Sequence, residues 1–404
     1  MPTISATTWN AAYWNKAFAD DFDNGLNNVS QAISRLGGVE LASSSVSASR
    51  IDGTLTNGGT IYAAGRNLGS PSAVISQLVI NSQPDLFIDL RGSFTESSGR
   101  LSYLKMSVAD LGITFSGAMS FSGSSISGTA SQVIASLGAK SLTVDGTFTY
   151  TASGWSGTVT RVLLTDGGQS FEASGGSWSY TSLLPLTTHS SLISSLSGGS
   201  ETQVGSAESD LFIGSPGNDS ISGGSGVDTI RYSGSSNLAQ ITALAGGQIR
   251  VVSSFSGTDV LSSVERVEFS DRGYAFDTSG GAAAKLITAA FGKSQVAKYL
   301  YAGLQYLDSG WSLQALSDLV IASGLVDRAA GSPSPQAFIK HVFQNTVLRQ
   351  PTSAELNLFE SMLNSGTYSK TGLLALAAGV VSDTSAGLVA SDGITVTGVA
   401  YDLG

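Results

Sequence analysis

Residues 205–231 divide without a gap into three segments of nine residues, and this spacing constrains the fold more than any other feature of the chain. Each segment begins with glycine and carries aspartate at its sixth place and a large apolar residue at its eighth. The aspartates are Asp210, Asp219 and Asp228, and the apolar residues are Phe212, Ile221 and Ile230. A partial fourth match follows in Gly257, Asp259 and Leu261. Random linker composition does not keep such a pattern in register, so the spacing predicts a folded element.

A nine-residue period of this composition predicts a small parallel β-roll. Half of each segment would be a Gly-rich turn and half a short strand, with the apolar eighth residue pointing inward. Glycine allows the positive φ that such turns need and lets backbone carbonyls approach an ion. Carboxylates repeated at one place in the turn suit Ca²⁺, which takes about six to eight oxygen ligands. Without the ion the aspartates would repel one another, so we expect folding to be coupled to calcium binding.

The segment resembles the glycine-rich nonapeptide repeats of the RTX (haemolysin-type) calcium-binding family, whose pattern is G-G-x-G-x-D-x-U-x. The third segment matches fully, the second has Ser215 in place of the second glycine, and the first is degenerate at Ser206, Ala207 and Glu208. The resemblance implies export by one-step (type I) secretion, with an uncleaved signal near the C-terminus. It therefore implies an extracellular protein, secreted or associated with the cell surface.

Alternate segments lie on the same side of a β-roll, so an ion is expected between one repeat and the next but one. This geometry pairs Asp210 with Asp228 and leaves Asp219 to find a partner in the turn of Asp259. We expect roughly one to three calcium ions, held by carboxylate and carbonyl oxygens. The predicted metal site comprises Asp210, Asp219, Asp228, Asp259, Gly214, Gly217, Gly223, Gly226 and Gly257. No other cofactor is predicted.

Changes in hydrophobic period predict a multidomain chain. The N-terminal segment, residues 1–40, carries an amphipathic helix over residues 8–36. An all-β domain (a sandwich or a solenoid) occupies residues 41–185, and a linker occupies residues 186–204. The calcium β-roll occupies residues 205–278, and an all-α domain with a C-terminal strand and the secretion signal occupies residues 279–404. The apolar stripe of the first helix is Trp14, Phe18, Phe22, Leu26, Val29, Ile33 and Leu36.

Part of the helical region, residues 337–384, resembles a helical domain of unknown function that often accompanies RTX repeats in secreted bacterial proteins. The usual glycine before arginine is missing at Leu348-Arg349-Gln350-Pro351. This resemblance implies a domain arrangement and supplies no biochemical role.

Composition limits the partners of the chain. Charged residues make up 12% of the chain and the net charge is −10, so Lys and Arg are too few to predict a nucleic-acid partner. The absence of cysteine excludes disulfides and thiolate metal sites. The N-terminal residues lack the basic and apolar regions of a cleaved signal peptide. No run reaches about 18 apolar residues, so we expect no transmembrane segment.

The reactive side chains predict no enzyme. The two histidines are His189 and His341, and the chain lacks both the H-E-x-x-H of zinc proteases and the G-x-S-x-G of lipases. A carboxylate pair for glycoside chemistry is left open, because Asp85 and Asp89 would share one strand face beside Arg91. The simpler interpretation of this pair is a solvated strand edge.

These features predict a secreted, calcium-dependent structural or cell-surface protein. It would self-associate into a homo-oligomer or polymer, as in a surface layer, a filament or a biofilm matrix adhesin, because low charge and abundant Ser and Gly favour packing between subunits. The expected partners are calcium ions, further copies of the chain and cell-surface polysaccharide. The alternatives are a secreted polysaccharide-active enzyme and a monomeric carbohydrate- or host-binding module.

Overall fold

The chain divides into two compact units, Met1–Ser206 and Ala207–Gly404. The first is built from β-strands, and the second combines short strands with helices. This arrangement confirms the predicted multidomain class. The computed structural model describes residues 3–6, 28, 31–32, 34–95, 97–122, 125–151, 154–179, 196–382, 389–391 and 394–403.

The first unit is an antiparallel meander. Each strand from β2 to β11 pairs with the next strand along the chain, and every one of these pairings is antiparallel. The strands are β2 Leu41–Val46, β3 Arg50–Leu55, β4 Thr60–Arg66, β5 Val74–Ser82, β6 Leu86–Phe94, β7 Ser98–Val108, β8 Leu111–Ser122, β9 Ser125–Leu137, β10 Lys140–Thr151, β11 Gly154–Asp166 and β12 Gln169–Ser179.

Two short strands extend the meander beyond β12. Strand β1 (Thr3–Ala6) pairs antiparallel with β12 and parallel with β13 (Thr202–Val204). Ile4 in β1 is fully buried. Part of the segment predicted as a linker, residues 186–204, is therefore a paired strand.

The all-β class of this unit is confirmed. A solenoid needs parallel stacking of successive turns, whereas the described strands follow one another as antiparallel hairpins. Alternation of polar and apolar residues indicates a half-buried strand without specifying its neighbour, so the sequence pattern could not choose the architecture.

A helical segment near the N-terminus packs on the meander. The helical residues that the structure describes are 28, 31, 32, 34 and 35, and a 3-10 turn follows at Leu36–Gly38. Ala32 is buried in a small apolar cluster with Leu86, Val108, Leu111 and Ile113. The rest of the helix predicted over residues 8–36 lies outside the described residues.

Short strands open the second unit and form two parallel stacks. On one side, β14 (Leu211–Ile213), β16 (Thr229–Arg231) and β20 (Arg266–Glu268) pair in parallel. On the other side, β15 (Ser220–Ser222) pairs in parallel with β19 (Gly257–Ser262). Consecutive repeats thus alternate between the two sides, which is the predicted β-roll.

Further strands border the roll. The hairpin of β17 (Ala239–Ala243) and β18 (Ile249–Ser253) lies between β16 and β19 in sequence, and β18 pairs antiparallel with β19. Strand β21 (Gly273–Ala275) pairs antiparallel with β20 and with the C-terminal strand β23 (Ile394–Tyr401), which also pairs with β22 (Val389–Ser391). The roll and the C-terminal strand therefore share one sheet.

Helix α1 (Thr278–Phe291) lies at the centre of the helical region. Helix α1 buries small and apolar residues around most of its circumference, including Ala283, Leu286, Ala289 and Ala290. The helices are α1 Thr278–Phe291, α2 Val296–Asp308, α3 Leu313–Ala322, α4 Leu325–Ala329, α5 Pro335–Val347, α6 Ser353–Asn364 and α7 Lys370–Val380. Within the described residues, no helix has both the length and the apolar character needed to cross a membrane.

Candidate metal centre

The nonapeptides place their aspartates at equivalent points of the roll. Asp210, Asp219 and Asp228 each stand directly before a three-residue strand, and each is at most 2% exposed. The apolar eighth residues fill the interior, and the fully buried ones are Phe212, Ile221, Ile230 and Leu261. The roll thus buries a row of acidic side chains close to its apolar core.

One side of the roll, which we call the Asp228 face, stacks Asp210, Asp228 and Glu265. The backbone N–H of Asp210 donates to Oδ1 of Asp228 at 2.8 Å. The backbone N–H of Asp228 in turn donates to Oε2 of Glu265 at 2.8 Å. The structure therefore brings together Asp210 and Asp228, which the spacing assigned to one ion, and adds a third acidic residue.

Asp228 is the carboxylate of this face that lacks compensation. It is fully buried, and its Oδ2 has no hydrogen-bond partner among the described residues. Burial, with repulsion from Glu265 and Asp210, raises the pKa of Asp228 to about 7 although the Asp210 N–H opposes the shift. Burial also raises the pKa of Glu265. A buried anion without a counter-charge is costly, so this oxygen requires a cation or a proton.

The opposite side, which we call the Asp259 face, stacks Asp219 and Asp259. The backbone N–H of Asp219 donates to Oδ1 of Asp259 at 3.0 Å, and the hydroxyl of Tyr232 donates to Oδ2 at 2.8 Å. The hydroxyl of Ser215 donates to Oδ2 of Asp219 at 3.0 Å. Burial raises the pKa of Asp259 although the donors from Asp219 and Tyr232 oppose it. Both aspartates of this face receive protein hydrogen bonds.

Gly217, Gly226 and Gly257 lie where neighbouring turns of the roll stack closely. A side chain at Gly226 would overlap the backbone of Glu208 in the turn beside it. A side chain at Gly257 would overlap the carbonyl oxygen of Gly217. Gly226 and Gly257 also have φ of 107° and 94°, a region that L side chains rarely adopt. Glycine at these places is therefore a requirement of the stacked turns.

The other two predicted glycines begin the second and third repeats, and each leaves room for a different group. A side chain at Gly223 would overlap Oδ2 of Asp228 and the carbonyl oxygen of Ser263. A side chain at Gly214 would overlap the ring of Tyr232. The place at Gly223 is thus taken by two oxygens, whereas that at Gly214 is taken by an aromatic ring.

The oxygens at Gly223 fit a calcium ion. Calcium binds carboxylate and backbone carbonyl oxygens, and Asp228 and Ser263 bring one of each together against this glycine. No group of three or more His, Cys, Asp or Glu side chains converges on a common point in the described parts of the chain. An ion at this place would therefore draw on backbone carbonyls as much as on side chains.

Arg266 connects the Asp228 face with the helices. Its side chain is 3% exposed, and its guanidinium group lies 2.6 Å from Asp277 and 2.7 Å from Asp308. Asp277 caps α1 by accepting a hydrogen bond from the N–H of Gly280, and Asp308 is the last residue of α2. Glu265 belongs to the Asp228 face and Arg266 follows it directly in sequence, so these two residues connect the Asp228 face with the start of α1 and the end of α2.

Sequence reasoning missed three parts of this site. Glu265 and Val267 repeat the spacing of an acid and an inward apolar residue, but Glu265 follows Asp259 by six places rather than nine. The bond between Tyr232 and Asp259 joins residues 27 apart, which no local pattern reveals. Ser215 was noted only as a departure from the glycine of the repeat, and its hydroxyl is a donor to Asp219.

A comparison with protein families agrees with this geometry. Residues 197–237 match the family model described as the RTX calcium-binding nonapeptide repeat, in four copies. The chain carries RTX repeats. The match begins ahead of Gly205, and the same register places Glu201 at a sixth position and Gln203 at an eighth. Searches of curated proteins and of solved structures give no match.

The RTX segment thus extends into the segment predicted as a linker. Glu201 stands where the later repeats have aspartate, and Gln203 stands where they have an inward apolar residue. Both side chains are buried, at 0% and 1% exposure. Because Glu and Gln replace Asp and an apolar residue, the sequence of this copy does not show the repeat pattern.

The carboxylates considered for glycoside chemistry have other partners. Asp85 lies in the turn before β6 and bonds to Arg35 at 2.7 Å, so it does not share a strand with Asp89. Asp89 accepts hydrogen bonds from Arg91 and Gln77. Burial opposes its ionisation, but these donors lower the pKa of Asp89 overall. A glycosidase acid needs a raised pKa, and Asp89 does not supply one.

The histidines give no catalytic arrangement in the described structure. The ring of His341 donates from Nε2 to the carbonyl oxygen of Ala290 near the end of α1, at 2.8 Å. This bond satisfies a carbonyl in the last turn of a helix. His189 lies outside the described residues.

Proposed function

We propose that this chain is a secreted, calcium-dependent structural protein that self-assembles outside the cell. The observation that supports the calcium part most directly is the buried, unpaired Oδ2 of Asp228 inside a matched RTX repeat. Asp228 and the carbonyl of Ser263 would hold the ion, whose positive charge would offset the buried carboxylates of the Asp228 face. Calcium-binding repeats of this family are typical of secreted proteins, which supports an extracellular location.

Strand β2 supports self-assembly. In the described part of the chain β2 pairs with β3 alone, and all six of its residues are exposed. It carries no charge, and its end residues Leu41 and Val46 are 51% and 52% exposed. Charged residues are a common protection of edge strands against further pairing, and β2 lacks them.

The sequence of β2 suits pairing with a second copy of itself. In an antiparallel pair about a two-fold axis, Leu41 of one copy would face Val46 of the other, and Ser43 would face Ser44. Leucine would then meet valine at the ends and serine would meet serine at the centre, while the small side chains of Ala42 and Ser45 would face each other. This complementarity favours another copy of the chain as the occupant of the edge.

Electron microscopy and sedimentation in millimolar calcium and in EDTA test this proposal. We expect fibres or sheets in calcium, and their loss in EDTA would show that assembly needs the calcium-loaded roll in addition to the edge of β2. Ser44→Lys would place a charged side chain in the middle of the edge strand, which disfavours further strand pairing, and should abolish assembly without changing the circular dichroism spectrum. The matched control is Ser72→Lys, an exposed position outside β2, which should still assemble. Monodisperse particles of the wild-type protein in calcium would contradict the self-assembly proposal.

A further inference from the structure

We infer that calcium binds at the Asp228 face, while Ser215 and Tyr232 close the Asp259 face with protein hydrogen bonds in place of an ion. The inference rests on the proposed calcium function and specifies which side of the roll carries it. It depends on a comparison of equivalent places in the second and third repeats.

The two faces differ in the residue at the second place of the repeat. Ser215 occupies it in the second repeat, and its hydroxyl donates to Oδ2 of Asp219 at 3.0 Å. Gly224 occupies it in the third repeat and has no side chain to offer. Oδ2 of Asp228, the equivalent atom, has no hydrogen-bond partner in the described structure. A single departure from the repeat pattern therefore accompanies the difference between a bonded and an unbonded carboxylate oxygen.

The first place of the repeat separates them again. Against Gly223 lie Oδ2 of Asp228 and the carbonyl oxygen of Ser263. Against Gly214 lies the ring of Tyr232. The same place in the repeat therefore brings two oxygens together in the third repeat and admits an aromatic side chain in the second.

Tyr232 is held firmly in this position. Its side chain is among the largest that are fully buried, and its ring stacks on Phe269 with centroids 5.4 Å apart and lies 6.0 Å from the ring of Phe255. Its hydroxyl donates to Oδ2 of Asp259, while Oδ1 accepts from the N–H of Asp219. An ion at Asp259 would have to displace a packed tyrosine and leave its hydroxyl buried without a partner, which is unfavourable.

The first test compares calcium binding by two isosteric variants. Equilibrium dialysis against radioactive calcium counts ions in the full-length protein, in Asp228→Asn and in Asp259→Asn. We expect Asp228→Asn to lose an ion that the wild type binds, and Asp259→Asn to keep the wild-type count. Loss of an ion in folded Asp259→Asn, or an unchanged count in Asp228→Asn, would overturn the inference. If Asp259→Asn fails to fold by circular dichroism in calcium, Asp219→Asn replaces it with the same expectation.

The second test opens the closed face. The double variant Ser215→Gly, Tyr232→Ala removes both hydroxyl donors together with the ring beside Gly214, and it restores the repeat pattern at the second place. We expect its calcium count to rise by about one ion per chain relative to the wild type. An unchanged count in a folded double variant would overturn the role given to Ser215 and Tyr232.

The outcomes separate this inference from the proposed function. If the wild-type protein binds no calcium, the proposed function fails and the inference fails with it. If the wild type binds calcium but loses it through Asp259→Asn rather than Asp228→Asn, the calcium function stands and the inference alone fails.

Discussion

The meander and the roll handle charge and backbone hydrogen bonds in opposite ways. Strands β7 to β12 are 11 to 13 residues long, whereas the repeat strands β14, β15 and β16 have three residues each. In the meander the Arg50 and Asp52 side chains of an ion pair are 60% and 47% exposed. In the roll, Asp228 and Asp259 are 0% exposed and Arg266 is 3% exposed.

In this chain, the region with the shorter strands depends more on pairing its charged side chains with opposite charges. A long hairpin forms many backbone hydrogen bonds and side-chain contacts between neighbours in sequence, so its surface ion pairs contribute little. A three-residue strand forms few such hydrogen bonds and contacts, and the Gly-rich turns beside it lose much conformational entropy on folding. The roll therefore depends more on the compensation of its buried charges, which Arg266 supplies to Asp277 and Asp308 and which we propose that a cation supplies to Asp228.

Removal of a buried arginine from the roll should lower the free energy of unfolding far more than removal of an exposed arginine from the meander. Arg266→Met would leave Asp277 and Asp308 without their buried partner and should lower the free energy of unfolding by about 3 kcal/mol. Arg50→Met removes an exposed partner of Asp52 and should cost less than about 1 kcal/mol. Guanidinium denaturation in excess calcium, followed by circular dichroism and tryptophan fluorescence, measures both. Equal losses in the two variants would break the comparison.

Calcium removal should unfold the roll and spare the meander. At free calcium about 100-fold above Kd, binding stabilises a folded site by about 2.7 kcal/mol, and EDTA removes this contribution. We expect amide hydrogen exchange of residues 210–268 to accelerate strongly in EDTA, while that of β7 to β12 changes little. Acceleration of both regions to the same extent would show that the meander also depends on the ion.

A glycine substitution in each unit should have a smaller effect. Gly223→Ala places a methyl group against Asp228 and the carbonyl of Ser263 and should cost about 2 kcal/mol, because the crowded turn must shift. Gly168→Ala, in the turn between β11 and β12, meets nothing within 4 Å and serves as the matched control. Calcium titrations monitored by circular dichroism should show a raised midpoint for Gly223→Ala alone. A normal midpoint for Gly223→Ala would contradict the placement of the ion beside this glycine.

The sequence predicted the roll well because its period fixes which residues become neighbours. With nine residues per repeat and two sides, Asp210 lies beside Asp228, and the Gly257 and Asp259 match supplies the rung beside Asp219. The role of these aspartates as calcium ligands stays a prediction. The part of Glu265 in the site was not predicted because Glu265 follows Asp259 by six residues rather than nine. The part of Tyr232 was not predicted because its contact with Asp259 depends on tertiary packing.

The sequence predicted the meander less completely for a related reason. Alternation in β10 and β11 identifies strands with one apolar face, and these strands exist as expected. Alternation does not encode the partner, so a sandwich, a solenoid and a meander share the same local pattern. Asp85 and Asp89 illustrate the same limit, because the start of β6 at Leu86 and the contact of Asp85 with Arg35 depend on tertiary structure.

The smallest expected effect concerns the pH dependence of a surface pair in the meander. The hydrogen bond from Arg50 lowers the pKa of Asp52 below its usual 3.8 against a small opposing effect of desolvation. Because the folded-state pKa is depressed, the pair stabilises the meander above the unfolded pKa and loses this contribution as the pH falls below it. Asp52→Asn should therefore lower the Tm of the meander slightly at pH 7 and not at pH 2. A large shift at pH 7, comparable with that of Arg266→Met, would show that the exposed charges of the meander are as important as the buried charges of the roll.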